Sequence, residues 1–143
     1  MKLIDTCAII NLFENNNENE LLKEDVAVCS FNKEELVNIT HRHKINDHLR
    51  HRMRKFFREN KVKIVDVPVS PGNRIEEKVY VDSINTELLR LIPDPSDAVL
   101  AACALRNKAD IITKDRHHLY TAKLENMFNK FKIKVSKTFI NAL

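Results

Sequence analysis

The chain has 143 residues, enough for one domain with a real core and too few for two comfortable ones. Hydrophobic residues make up 43% and charged residues 31%, and that apolar share excludes global disorder. The formal net charge is +4; no apolar run reaches the roughly 18 residues of a membrane span, and the start Met1-Lys2-Leu3-Ile4-Asp5 meets charge too early for a secretory signal, so a cytoplasmic protein is expected.

Lys2 to Thr6 reads as a short strand running straight into Asp5, followed by a helix from Cys7 to Phe13. Glu14 to Glu20 (ENNNENE) is polar and low in complexity, which predicts a mobile loop. Val26 to Cys29 is a second apolar run with strand-like β-branched content. Ser30 and Asn32 are N-cap candidates for a helix beginning near Lys33.

Helical spacing then continues through Ile45, Leu49, Met53 and Phe56 or Phe57, so one long helical region is predicted. Opposite this apolar stripe, Arg42, Asn46, Arg50, Arg54 and Arg58 recur at the same spacing. Between Arg42 and Arg58 lie seven Lys or Arg residues and one acid, Asp47, with His41, His43, His48 and His51 beside or among them. Such a surface attracts polyanions, of which nucleic acid is the commonest. Arg42, Arg50, Arg54 and Arg58 are therefore the candidates for gripping a phosphate backbone. A solvated helix face or a docking site for an acidic partner would show the same pattern.

Val62 to Val69 reads as a strand, with Pro68 placing its end at an edge. Ser70-Pro71-Gly72-Asn73 is a turn holding the one glycine. A helix is predicted from Ile75 to Ile92, broken by Pro93-Asp94-Pro95. Ser96 should cap the next helix, Asp97 to Asn107, which is apolar nearly all round and hence buried. Ala109 to Thr113 is a strand ending at Lys114-Asp115; a helix near Ala122 to Phe131 and a last strand, Lys132 to Val135, follow. Alternating strands and helices predict an α/β domain with a mostly parallel sheet flanked by helices on both faces and spanning residues 1–143.

In such a sheet the functional crevice lies beyond the carboxyl ends of the strands. Asp5 and Asp115 end two strands, Glu35 lies early in the helix after the second, and Asp97 starts the buried helix before the ADIIT strand. All four acids are expected at one end of one sheet. Acids beside apolar strands cost free energy unless compensated, and Mg²⁺ or Mn²⁺ prefers such hard oxygen ligands. Read singly, Asp97 could be a dipole-stabilised helix start, Asp115 a turn residue and Glu35 a solvated helix residue. The three cysteines, Cys7, Cys29 and Cys103, form no CxxC pair or zinc spacing, and each lies in an apolar run as a small buried thiol would.

Leu3-Ile4-Asp5-Thr6, Ser30 through Glu35-Leu36, Asp97-Ala98 with its alanine-rich helix, and Ile111-Ile112-Thr113-Lys114-Asp115 occur in this order. Together they resemble the PIN-domain family, with VapC-type toxins the nearest look-alikes. The resemblance implies a doubly wound α/β sheet, and Asp5, Glu35, Asp97 and Asp115 as catalytic metal-binding acids, with Thr113 and Thr6 as polar supporters. It implies Mg²⁺ or Mn²⁺ as cofactor and RNA as substrate, hydrolysed by metal-assisted phosphodiester chemistry. A toxin role with an antitoxin protein as partner, and a homodimer, stay open.

Departures exist. Cys7 stands where the family often has Asn, and His117 and His118 stand where another Asp often follows the last acid. These keep a second reading open, a PIN-like RNA-binding module without catalytic activity. A receiver-type regulatory domain wants adjacent acids early in the chain, and Asp5 stands alone.

Overall fold

The computed structural model describes residues 1–38, 45–114 and 122–136. Five strands form one parallel sheet in the order β3-β2-β1-β4-β5. These are β1 (Lys2–Ile4), β2 (Val26–Cys29), β3 (Ile64–Val65), β4 (Asp110–Ile112) and β5 (Val135–Ser136). Leu3 pairs with Ala27 on one side and Ile111 on the other; Val28 pairs with Ile64, and Ile111 with Val135.

Successive strand residues point to opposite faces, so β1, β2 and β4 each feed two cores. Ile4, Val26, Val28 and Ile112 face one cluster, closed by α1 (Thr6–Glu14), by Leu36 of α2 (Ser30–Val37) and by α3 (Asp47–Glu59). Leu3, Ala27, Cys29 and Ile111 face the other. It is covered by α4 (Arg74–Ile84), α5 (Leu88–Leu91), α6 (Pro95–Asn107) and α7 (Ala122–Lys130). Residues Ala98 to Ala104 of α6 are all buried, as its nearly uniform apolar sequence requires. The α/β, doubly wound arrangement with helices on both faces is thus as expected. Among the described residues, no helix is long and apolar enough to cross a membrane.

The long helix expected from Lys33 to Phe57 is two helices. Asn38 turns extended (φ −99°, ψ 151°) and ends α2. Asn46 starts α3 afresh, its side chain accepting a hydrogen bond from Leu49 N at 2.8 Å. Asn46 is therefore a cap and not part of an arginine stripe. The helix expected over Ile75–Ile92 also divides, at the extended Asn85. The Val62–Val69 segment contributes only two residues to the sheet.

Caps also differ from expectation. Cys29 holds the N-cap position of α2; the Ser30 hydroxyl instead accepts from Val67 N at 2.8 Å and donates to Val67 O at 3.3 Å. Asp94 caps α6, accepting from Ser96 N at 2.9 Å, with Pro95 in the first helical position. The ENNNENE segment is not featureless. It ends α1, turns at Asn16 (φ 56°) and enters a 3₁₀ turn, Glu18–Leu22, whose Leu21 is buried. Arg52 of α3 pins it, donating to Asn16 Oδ1 at 3.1 Å and Glu18 Oε1 at 2.9 Å.

Candidate functional site

The strand order reverses direction around β1. The chain moves from β1 to β2 and β3 on one side, then crosses to β4 and β5 on the other. A crevice opens where connections leave neighbouring strands in opposite directions, here beyond the carboxyl ends of β1 and β4. Asp5 directly follows β1 and Thr113 directly follows β4.

Asp5 is the N-cap residue of α1, with extended backbone (φ −68°, ψ 151°). Its N–H donates to Ile112 O at 2.8 Å, fixing its backbone to β4. Its carboxylate is turned the same way: the Thr113 hydroxyl donates to Asp5 Oδ2 at 2.6 Å, joining residues 108 positions apart. Asp5 is half-buried and Thr113 fully buried.

Thr6, the next residue, carries the link to α2. Its hydroxyl donates to Glu35 Oε1 at 3.0 Å and accepts from Asn32 Nδ2 at 2.8 Å. Asn32 Nδ2 also lies 3.4 Å from Glu35 Oε1. Glu35 is only 2% exposed, so its carboxylate is solvated by the protein and not by bulk water. Asp5 and Glu35 are thereby joined through adjacent residues of one helix start.

Asp97 is half-buried in the first turn of α6, on a separate element. Two anchors hold that helix start: the Asp94 cap, and Glu77, a fully buried acid of α4. Glu77 Oε1 accepts from the Ser96 hydroxyl at 2.6 Å, while its Oε2 accepts from Gly72 N at 3.0 Å. Asp115 lies outside the described residues, as do His117 and His118. Among the described residues, no three acid, histidine or cysteine side chains gather into a metal-holding group. The carboxylates and hydroxyls that do meet present oxygen, the donor type that hard divalent cations prefer.

The arginines divide. Arg42 lies outside the described residues. Arg50 is buried, and its Nη1 donates to Leu36 O at 2.9 Å and also to Asn38 O. Arg54 is exposed, but its Nε donates to Val37 O at 2.5 Å. These two close the C-terminal carbonyls of α2, which no intrahelical donor reaches. Arg50 is therefore not on an open cationic face. Arg58 is exposed, and with Lys33, Asn38, Arg54 and Phe57 it lines an open cleft between α2 and α3.

Asn32, Glu77 and Ser96 had no place in the expected site. Asn32 stands one helical turn before Glu35, and that i, i+3 spacing is the one sequence signal that pairs them. Glu77 and Ser96 are 19 residues apart with no shared pattern.

The model of the PIN domain matches residues 2–124. The crystal structure of VapBC2 from Rickettsia felis bound to a DNA fragment from their promoter is similar in fold, at TM-score 0.56 and 15% identity, over 94% of this chain and 96% of that one. No curated relative matches the sequence. The family match runs from β1 into α7 and takes in Asp5, Thr6, Glu35, Asp97 and Thr113, and on that ground the chain belongs to the PIN-domain family.

Proposed function

We propose that this protein is a metal-dependent endoribonuclease that hydrolyses RNA phosphodiester bonds. One observation carries the reading: Asp5 and Thr113, from the carboxyl ends of β1 and β4, meet at the switch point of the sheet beside the buried Glu35–Thr6–Asn32 cluster. Membership of the PIN-domain family supports it, and the resemblance of Ile111 to Asp115 to the family's last motif is the ground for counting Asp115 among the acids.

Asp5, Glu35, Asp97 and Asp115 would hold Mg²⁺ or Mn²⁺. A divalent ion bound there supplies an acidified water and offsets charge on the phosphodiester. The chain's own groups do the positioning. Thr113 keeps the Asp5 carboxylate turned toward β4, and Thr6 with Asn32 fixes Glu35 Oε1. Arg54 and Arg58, at the α2–α3 cleft, grip the RNA backbone without reading sequence. The likeness to a VapBC2 structure supports a partner protein of antitoxin type for this chain.

The test is cleavage of an end-labelled single-stranded RNA with Mn²⁺, Mg²⁺ or chelator, comparing Asp97→Asn with the parent. Metal-dependent cutting by the parent, lost in Asp97→Asn with RNA binding retained, is expected. RNA bound but uncut by the parent with either metal would favour the non-catalytic module instead.

A further inference from the structure

Away from the acids, two of the three cysteines meet. Cys29 ends β2, Cys103 lies midway along α6, and both are fully buried. Their sulfurs are 2.9 Å apart, with Cys29 donating to Cys103. Cys103 Sγ also accepts from Asn107 Nδ2 at 3.5 Å. Two donors on one sulfur favour its thiolate form. The hydrogen bond from Cys29 above all, with that from Asn107, holds Cys103 below the ordinary thiol range against the opposing effect of burial. The same bond, and then burial, push Cys29 up.

One of those donors, Asn107, also forms part of the wall of a surface cleft. Tyr80 and Asn107, with Asp66, Ser83 and Arg106, line a space of about 440 Å³. Asn107 is exposed and joins the cleft wall to Cys103, its Nδ2 donating to Cys103 O at 2.8 Å as well as to the sulfur.

We propose that Cys103 and Cys29 form a peroxide-sensitive thiol pair, Cys103 reacting first and Cys29 resolving. The Cys103 thiolate attacks one oxygen of hydrogen peroxide; the O–O bond breaks, a sulfenic acid forms, and hydroxide leaves to become water on protonation. Cys29 sulfur then attacks the sulfenic sulfur; the S–S bond forms, the S–O bond breaks, and hydroxyl leaves as water with the Cys29 proton. Two thiols are oxidised by two electrons, and one peroxide is reduced. The bond ties the residue before α2 to α6, the helices that carry Glu35 and Asp97. This inference does not depend on the nuclease reading.

The experiment treats the reduced full chain with hydrogen peroxide, alkylates it under denaturing conditions and maps the cysteine peptides by mass spectrometry. Loss of two of the three alkylatable thiols, a linked Cys29–Cys103 peptide and an alkylated Cys7 are expected. In Cys29→Ser, Cys103 should be trapped by dimedone as sulfenic acid. Three alkylated thiols after treatment, or a linked peptide containing Cys7, would overturn the proposal. Should Cys29→Ser fail to fold, the peptide map of the parent decides alone.

Discussion

Thr6 has one hydroxyl and two neighbours that need it. It donates to Glu35 and accepts from Asn32, both buried. Removing one partner from a buried polar group costs its desolvation, about 1–3 kcal/mol. Thr6→Val keeps the shape and deletes the hydroxyl, so it should lower stability by about that amount. The urea midpoint should fall at unchanged m-value, and Thr6→Ser should restore most of the loss. Unchanged stability in Thr6→Val would show that the Glu35 carboxylate does not rely on this contact. Of the site, Asp5 and Thr113 were legible because apolar runs ending in polar residues mark where strands stop. The part played by Asn32 was not. Caps and mid-helix partners use the same residue types, and only tertiary packing decides which one Asn32 becomes.

At the scale of elements, α3 shows where pattern reading loses its grip. Its arginines recur every fourth residue, and that spacing fits both an open cationic stripe and a row that reaches a neighbouring helix. Arg50 is committed to the end of α2, whereas Arg58 stands at the rim of a cleft. The two should therefore separate in experiment. Arg50→Met should cost about 1–3 kcal/mol of stability by freeing buried carbonyls. Arg58→Ala should leave stability within about 0.5 kcal/mol, as surface changes do. It should also weaken RNA binding and flatten its salt dependence, by about 0.7 in the log–log slope per lost phosphate contact. Equal effects of both variants on the salt slope would put Arg50 back among the RNA contacts. The helix break before α3 has no mark in the residue pattern for a similar reason. The apolar residues keep helical phase across it, and Asn38 and Asn46 declare themselves as end and start only through their backbone angles.

For the molecule as a whole, the layer arrangement was legible because β1, β2 and β4 are short apolar runs separated by helix-length segments. Edge strands β3 and β5 were placed less well; two residues each leave little pattern to read. A cation bound only by the folded state stabilises that state by mass action. If the acids hold Mn²⁺, the melting temperature should rise with Mn²⁺ concentration, by the equivalent of about 2.7 kcal/mol at 100-fold over Kd. Chelator should reverse the rise, and Asp97→Asn should shrink it. A melting temperature indifferent to Mn²⁺ in the parent would remove the metal from the account. The central strand also sets the order of events during synthesis. β1 emerges first, yet its neighbour on one side, β4, comes from the far part of the chain. A ribosome-bound chain halted before Thr113 carries Asp5 without its neighbour, so the crevice is completed only once translation has passed the β4 codons.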